Sequence, residues 1–360
     1  MNTNIEKQIK VFDQLGKIIL DFCQRETNGR ELTEKIDKKI KNGIIKTEEE
    51  NPWFTRDFQC INLKAWGENL NRHKLKSWLM SYPEAGVGNA RKKVGLILAG
   101  NIPLVGFHDI LCVLISGHYA VTKLSSKDRI LYPILKEILR EIDQATAERW
   151  MIIEDEKLTG IDAVIATGSD NSARYFEYYF GKYPHIIRKN RNSVAVLSGN
   201  ETEKEIRALG DDLFLYFGLG CRNVSKLYVP NDFSPEQFYP YIEHYAYLYH
   251  HTKYANNYDY QKAVHLVNKV PIYDNGFLLL KEEKSISSPV ACLNYEKYHH
   301  LEEVNHAIGR HFDRIQCIVS GIDQIPQAVP FGKSQFPGLY EYADNIDTLK
   351  FLFNLYEKYA

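Results

Sequence analysis

An α/β fold built on a parallel sheet, entered through a helical stretch, is what this sequence predicts. Two observations carry the prediction. From about residue 92 onward, short apolar runs of strand length alternate with amphipathic runs of helix length. Several of the apolar runs also end in Gly- or Ser-containing turns just before the next helix. Right-handed crossovers between such strands place their carboxyl ends together, and ligands of these sheets lie beyond those ends.

The first fifty residues are polar with a helical rhythm. IIKTEEENPWFT reads as a hinge, and CINLKAWGENLNRHKLKSWLMSY as a second helical stretch, together an embellishment or a substrate-side lobe. The period then changes. KKVGLILAGNIP is a strand closed by a turn, PLVGFHDILCVLISG a helix, HYAVTKLSS a strand and DRILYPILKEILREI an amphipathic helix. IDAVIATGSD is a third strand, NSARYFEYYFGKY a helix, and NSVAVLSG a fourth strand. It leads through an acidic helix to LFLYFGLGCRNVSKLYVP, a glycine-flanked cysteine at the mouth of a strand. Residues 231–280 are rich in Tyr and His and read as a second lobe. KSISSPVACLNYEK and RIQCIVSG add strands, and PFGKSQFPGLYEYADNIDTLKF is a loop-rich tail.

Composition narrows the function. The chain has 360 residues, which suits two domains, and is 44% hydrophobic and 25% charged, as a globular protein with a large core is. A net charge of −1 with scattered Lys and Arg gives no support to a nucleic-acid or anionic-membrane partner. The first thirty residues are charged throughout and read as no signal peptide, no run approaches a membrane span, and a cytoplasmic location is expected. The six cysteines are widely spaced without CxxC, which argues for thiols instead of a disulfide framework or a zinc site.

Few residues stand out for chemistry. Cys221 lies in Gly218-Leu219-Gly220-Cys221-Arg222-Asn223, where glycines allow close approach and the turn amides with Arg222 would favour a thiolate; a structural cysteine in a glycine turn is an equal reading. Asn101, in Gly100-Asn101-Ile102-Pro103, could donate to an oxyanion or merely make a turn. Lys123, Ser125 and Ser126 after one strand suit ribose hydroxyls or a phosphate, or else a solvated lysine beside a helix cap at Ser126 or Asp128. Thr167-Gly168-Ser169 suits a pyrophosphate at a helix N-terminus, or a plain N-cap. GxGxxG, the P-loop sequence and GxSxG are all missing. The adjacent pairs His250-His251 and His299-His300 diverge and make poor metal sites, and His108 reads as a core or rim histidine.

Taken in order, GNIP, VTKLSS, ATGSD, NSVAVL, FGLGCRN and SSPVACLNY resemble the aldehyde dehydrogenase superfamily. More closely they resemble the acyl-CoA reductases of the bacterial bioluminescence type, over about residues 50–350. The resemblance implies a Rossmann-like cofactor domain with a helical N-terminus (1–213), a smaller α/β catalytic domain (214–335), and a tail (336–360) that returns to the first and joins subunits into a homo-oligomer. It implies Cys221 as the acyl-accepting nucleophile and Asn101 as the oxyanion amide. Lys123 becomes the adenosine-ribose lysine, and Gly168 and Ser169 the start of the helix facing the pyrophosphate.

Three departures refine the expectation. Oxidising members carry a water-activating glutamate before the fourth strand, whereas Ile187-Arg188-Lys189-Asn190-Arg191-Asn192 holds no carboxylate, which favours reduction. Ser126 stands where NAD-preferring members hold a glutamate, so NADPH is expected, with NADH possible. Ser285-Ile286-Ser287-Ser288-Pro289 lacks the carboxylate that holds the nicotinamide ribose. The expected activity is NADPH-dependent reduction of a fatty acyl-CoA to the aldehyde, without a metal, and with an acyl-protein synthetase subunit as a possible partner. The alternatives are an acyl-phosphate reductase, against which the uncharged Ile102, Val105, Phe214 and Phe217 argue, and a non-redox acyl carrier acylated on Cys221.

Overall fold

A computed structural model describes residues 3–27, 35–82, 91–154 and 157–355. The chain forms two compact units, Met1–Lys189 with Gly338–Ala360, and Asn190–Pro337. The last residues of the expected tail, 356–360, lie outside the described residues.

The first unit opens with helices α1 (Thr3–Thr27), α2 (Lys35–Glu50), α3 (Arg56–Asn69) and α4 (Arg72–Met80). The expected hinge shrinks to residues 51–55, because Ile44–Glu50 continues α2 and burial of Ile44 and Thr47 holds it helical. Thr55 then caps α3 by accepting from Phe58 N. Next come β1 (Lys93–Ile97), α5 (Phe107–Ile115), β2 (Tyr119–Lys123), α6 (Leu131–Ile142), α7 (Gln144–Glu148), β3 (Trp150–Ile153), β4 (Ala163–Thr167), α8 (Asp170–Phe180) and β5 (His185–Arg188). The five strands make a wholly parallel sheet in the order β3-β2-β1-β4-β5. The order reverses at β1, so the doubly wound crevice opens between the ends of β1 and β4.

The N-terminal helices are no separate lobe. Ile9, Phe12 and Phe22 of α1 share one buried cluster with Val94 and Leu96 of β1, Leu111 of α5 and Trp150 of β3. On a second cluster Phe176 and Phe180 of α8 pack against Val121, Val164 and Ala166.

The second unit holds β6 (Asn192–Val196), α9 (Glu203–Phe214), β7 (Val224–Pro230), α10 (Pro235–Ile242), α11 (Thr252–Val267), β8 (Tyr273–Asp274), β9 (Leu279–Glu282), β10 (Cys292–Tyr298), α12 (Leu301–Arg310) and β11 (Ile315–Ser320). Its sheet runs β11-β6-β7-β10-β9-β8, parallel except for the β8–β9 pair. The expected boundary at 213 therefore moves to 189/190. β6 pairs with β7 and β11 in this sheet, which carries the segment 190–213 into the second unit.

The chain closes in the first unit with α13 (Thr348–Asn354). Its attachment is polar as well as apolar. Trp78 Nε1 donates to Tyr342 Oη at 2.8 Å, Tyr82 Oη to Asp347 Oδ2 at 2.9 Å, and Arg188 Nη2 to Thr348 Oγ1 at 2.9 Å. His108 is a packing residue of this junction, stacked on Trp66 and Trp78 with Nε2 3.1 Å from Leu339 O.

Candidate functional site

The first cluster of candidates stands at the carboxyl edge of the first sheet. Ile97 ends β1 opposite Lys123 on β2 and opposite Ala166 on β4, so the segments after these strands emerge side by side. Gly100 must be glycine there, since a Cβ would lie 2.4 Å from Ser125 Oγ. Asn101 and Lys123 are half-buried. Beyond Asn101 the backbone turns through Leu104 at φ 52°, and Asp128 Oδ2 accepts from Leu104 N at 2.7 Å.

That bond corrects one expectation. Neither Ser126 nor Asp128 caps a helix, since α6 starts after Ile130 without a side-chain cap. Residues 125–128 form a tight turn instead, with Asp128 N on Ser125 O at 3.0 Å and Lys127 N on Ser125 Oγ at 3.3 Å. Asp128 is turned inward, and burial pushes its carboxyl up to about 7. Ser126 is exposed at the tip of the turn.

Gly168 also sits tightly, since a Cβ would meet Ser172 Cβ at 2.8 Å. Ser169 caps α8, its Oγ accepting from Ser172 N at 3.2 Å. The N-cap reading thus describes its hydroxyl. Asp170 adds a carboxylate to the first turn, so an anion bound there would share the helix end with it.

Cys221 belongs to the second unit, Asn101 to the first. Between α9 and β7 three consecutive residues take left-handed angles, Tyr216 (φ 56°), Phe217 (φ 57°) and Gly218 (φ 75°). Tyr216 and Phe217 are both buried. Such a conformation costs a non-glycine residue about 1–3 kcal/mol, so surrounding contacts must impose it. Phe217 is held against His251 at 4.3 Å between ring centroids. Gly220 to Asn223 then form a turn, with Asn223 N on Gly220 O at 3.0 Å and Gly220 N on Asn223 Oδ1 at 2.8 Å. Ser193 Oγ of β6 donates to Cys221 O at 2.9 Å, and Arg222 Nη1 to Ser334 O at 3.3 Å.

The cysteines differ in setting. Burial pushes the thiols of Cys23 and Cys292 up to about 12, that of Cys112 well above its usual range, and that of Cys60 upward. Cys317 is buried, whereas Cys221 is half-buried in a turn. Beside that turn, Phe217, Gly218 and Val224 line a small cavity of mixed polarity with Ser225, Tyr254, Ser288 and Leu293. Among the described residues no cluster of His, Cys, Asp and Glu could hold a metal. No described helix is long and apolar enough to cross a membrane.

Sequence reasoning missed the polar residues that hold these loops. Lys226 on β7 is fully buried, its Nζ donating to Glu283 O at 2.9 Å and Lys284 O at 2.8 Å and pairing with Glu296. Burial draws its ammonium below the lysine range, opposed by Glu296. Ser225 Oγ donates to Ile286 O at 2.6 Å, and Asn294 Nδ2 to Ser285 O and Ser287 O at 3.0 and 2.9 Å. The serine segment 285–288 is therefore strapped to the sheet by its carbonyls. Asp212 accepts from Gly332 N and Ser334 N at 2.6 and 2.9 Å, and burial pushes its carboxyl up to about 6 against those two donors. The three cations at 188, 189 and 191 each have partners within their own unit. Arg188 is buried in a two-pronged pair with Asp109, Lys189 pairs with Glu177 at 3.1 Å, and Arg191 Nη1 reaches Ile315 O at 3.2 Å.

No family model and no curated protein matches this chain. Solved structures do. An indole-3-acetaldehyde dehydrogenase from P. syringae, in complex with NAD+ and IAA, superposes with a TM-score of 0.63 at 12% identity, over 91% of this chain and 74% of that one. A Mycobacterium tuberculosis aldehyde dehydrogenase complexed with NAD+ gives 0.62 at 12% identity, over 92% and 76%. An aldehyde dehydrogenase C variant from Pseudomonas syringae, complexed with NAD+ and octanal, gives 0.60 at 10% identity, over 89% and 73%. The fold of this chain is aldehyde-dehydrogenase-like, with the Rossmann-like sheet and helical N-terminus in the first unit.

Proposed function

We propose that this chain is a nicotinamide-dependent oxidoreductase that reduces an acyl-CoA thioester to the aldehyde through an acyl-cysteine on Cys221. One observation carries the reading: in an aldehyde-dehydrogenase-like fold, Cys221 is a half-buried thiol presented in a turn that follows a left-handed elbow, while burial pushes the thiols of Cys23, Cys60, Cys112 and Cys292 up. Structures of the same fold are complexes with NAD+, and one also holds the eight-carbon aldehyde octanal.

The Cys221 thiolate attacks the thioester carbonyl, an oxyanion forms, and the coenzyme A thiolate leaves as the oxyanion collapses to the new thioester. The crevice between β1 and β4 would hold a dinucleotide, for which Lys123 and Ser125 would serve the ribose and Gly168 and Ser169 the pyrophosphate. The chemistry such a group would supply is hydride donation to the acyl carbon, which converts the Cys221 thioester to a thiohemiacetal. Collapse of that adduct expels the aldehyde and returns the electron pair to Cys221 sulfur. Water competes poorly, because residues 187–192 offer no carboxylate base.

The test is NADPH oxidation with a panel of acyl-CoAs and acyl phosphates. Turnover with acyl-CoAs of apolar chain supports the reading, and turnover with acyl phosphates alone would replace it. Cofactor choice gives a sharper expectation. Ser126 is exposed at the tip of its turn and carries no charge against a 2′-phosphate. NADPH should give the higher kcat/KM, and Ser126→Glu should invert the order, since like-charge juxtaposition costs several kcal/mol. An unchanged ratio in Ser126→Glu would place that residue away from the 2′ position.

A further inference from the structure

We infer that Asn223 is the positioning residue of the nucleophile, holding the Cys221 turn to the end of α9 and locking the left-handed elbow before it. The inference rests on Cys221 being the reactive thiol. Asn223 is 3% exposed, too deep for an ordinary turn residue. Its Oδ1 accepts from Gly220 N at 2.8 Å. Its Nδ2 reaches Asp212 O at 3.1 Å, Leu213 O at 3.4 Å and Leu215 O at 2.9 Å, carbonyls at the end of α9 and the start of the elbow. One amide therefore ties both ends of the segment 215–220, and Tyr216, Phe217 and Gly218 lie inside that loop.

The chemistry requires an amide. A carboxylate at 223 would still accept from Gly220 N but would face three carbonyl oxygens. A hydroxyl is too short to span both ends. Cys221 sits between the two residues of this clip, Gly220 and Asn223, so the clip fixes the backbone that carries its sulfur. A misplacement of about 1 Å at reacting atoms can cost about 10²-fold in rate.

Asn223→Ala and Asn223→Asp are compared with the parent in the full-length protein, with Asn223→Ser as a milder change should either fail to fold. Iodoacetamide labelling is followed at each cysteine by peptide mass, and kcat and KM are measured for acyl-CoA reduction. Labelling of Cys221 is expected to rise several-fold as the turn opens, with Cys112 and Cys292 still protected. At the same time kcat should fall by about 10²-fold and KM change little. A purely structural Asn223 would lower the unfolding temperature yet leave both the Cys221 labelling rate and kcat within about twofold of the parent below it. That result in the folded variants would overturn the inference. Labelling needs no substrate, so a parent that turns over no acyl-CoA but shows the labelling change would sink the proposed function and retain the positioning role.

Discussion

Cys221→Ala is expected to abolish covalent acyl labelling and aldehyde formation together, while the fold persists. The Cys221 sulfur is the only protein atom of the proposed reaction that bonds to the acyl carbon, so no partial activity should remain from the acyl-enzyme route. The turn itself does not depend on it. Cys221 is held through its carbonyl by Ser193, and the clip is made by Gly220 and Asn223, all of which survive the substitution. Cys23→Ala and Cys317→Ala remove one buried sulfur each, at a stability cost of about 1 kcal/mol, and should leave labelling intact. Incubation with radiolabelled acyl-CoA followed by denaturing electrophoresis makes the comparison. Full labelling of Cys221→Ala would move the nucleophile elsewhere.

Asp109→Ala should cause the largest loss of stability among single polar substitutions in the first unit. Asp109 and Arg188 are 5% and 3% exposed, and their two bonds measure 2.6 and 3.0 Å. Removing the carboxylate strands a buried guanidinium, a change worth about 3–5 kcal/mol. The same guanidinium holds Thr348 Oγ1, so release of the tail should accompany the loss. Replacing both partners by apolar residues, as in Asp109→Leu with Arg188→Met, should recover most of it. Urea unfolding of the full chain gives the midpoints. A shift worth less than about 1 kcal/mol for Asp109→Ala would mean that water reaches the guanidinium and that the pair does not secure the tail.

The same pair marks where sequence reading ends. Apolar stretches such as VGLIL, AVIAT and SVAVL announce buried parallel strands through composition alone, and each strand is found there. The strands Trp150–Ile153 and His185–Arg188 were not legible, since each spans only four residues. Arg188 reads as one of three nearby cations, and nothing local reveals a partner 79 positions earlier. Asp128 has the sequence context of a helix cap, yet Leu104 N draws it inward. Around Cys221 the glycines and the motif order were legible. The support was not, because Asn223, Ser193 and Asp212 act through backbone groups whose identity a sequence does not display. The split at Lys189 likewise follows from strand pairing, which alternation alone leaves open.

The central claim is an acyl-Cys221 that discharges to hydride and not to water. It is tested most directly by following intact-protein mass after adding acyl-CoA without cofactor, with free fatty acid assayed alongside. A general base is worth a factor of about 10² to 10⁴, and residues 187–192 contain none. The acylated mass should therefore persist, then return to that of the parent when NADPH or free coenzyme A is added, with aldehyde or acyl-CoA as the product. Rapid, stoichiometric release of fatty acid before either addition would reveal a base elsewhere in the chain and contradict the mechanism.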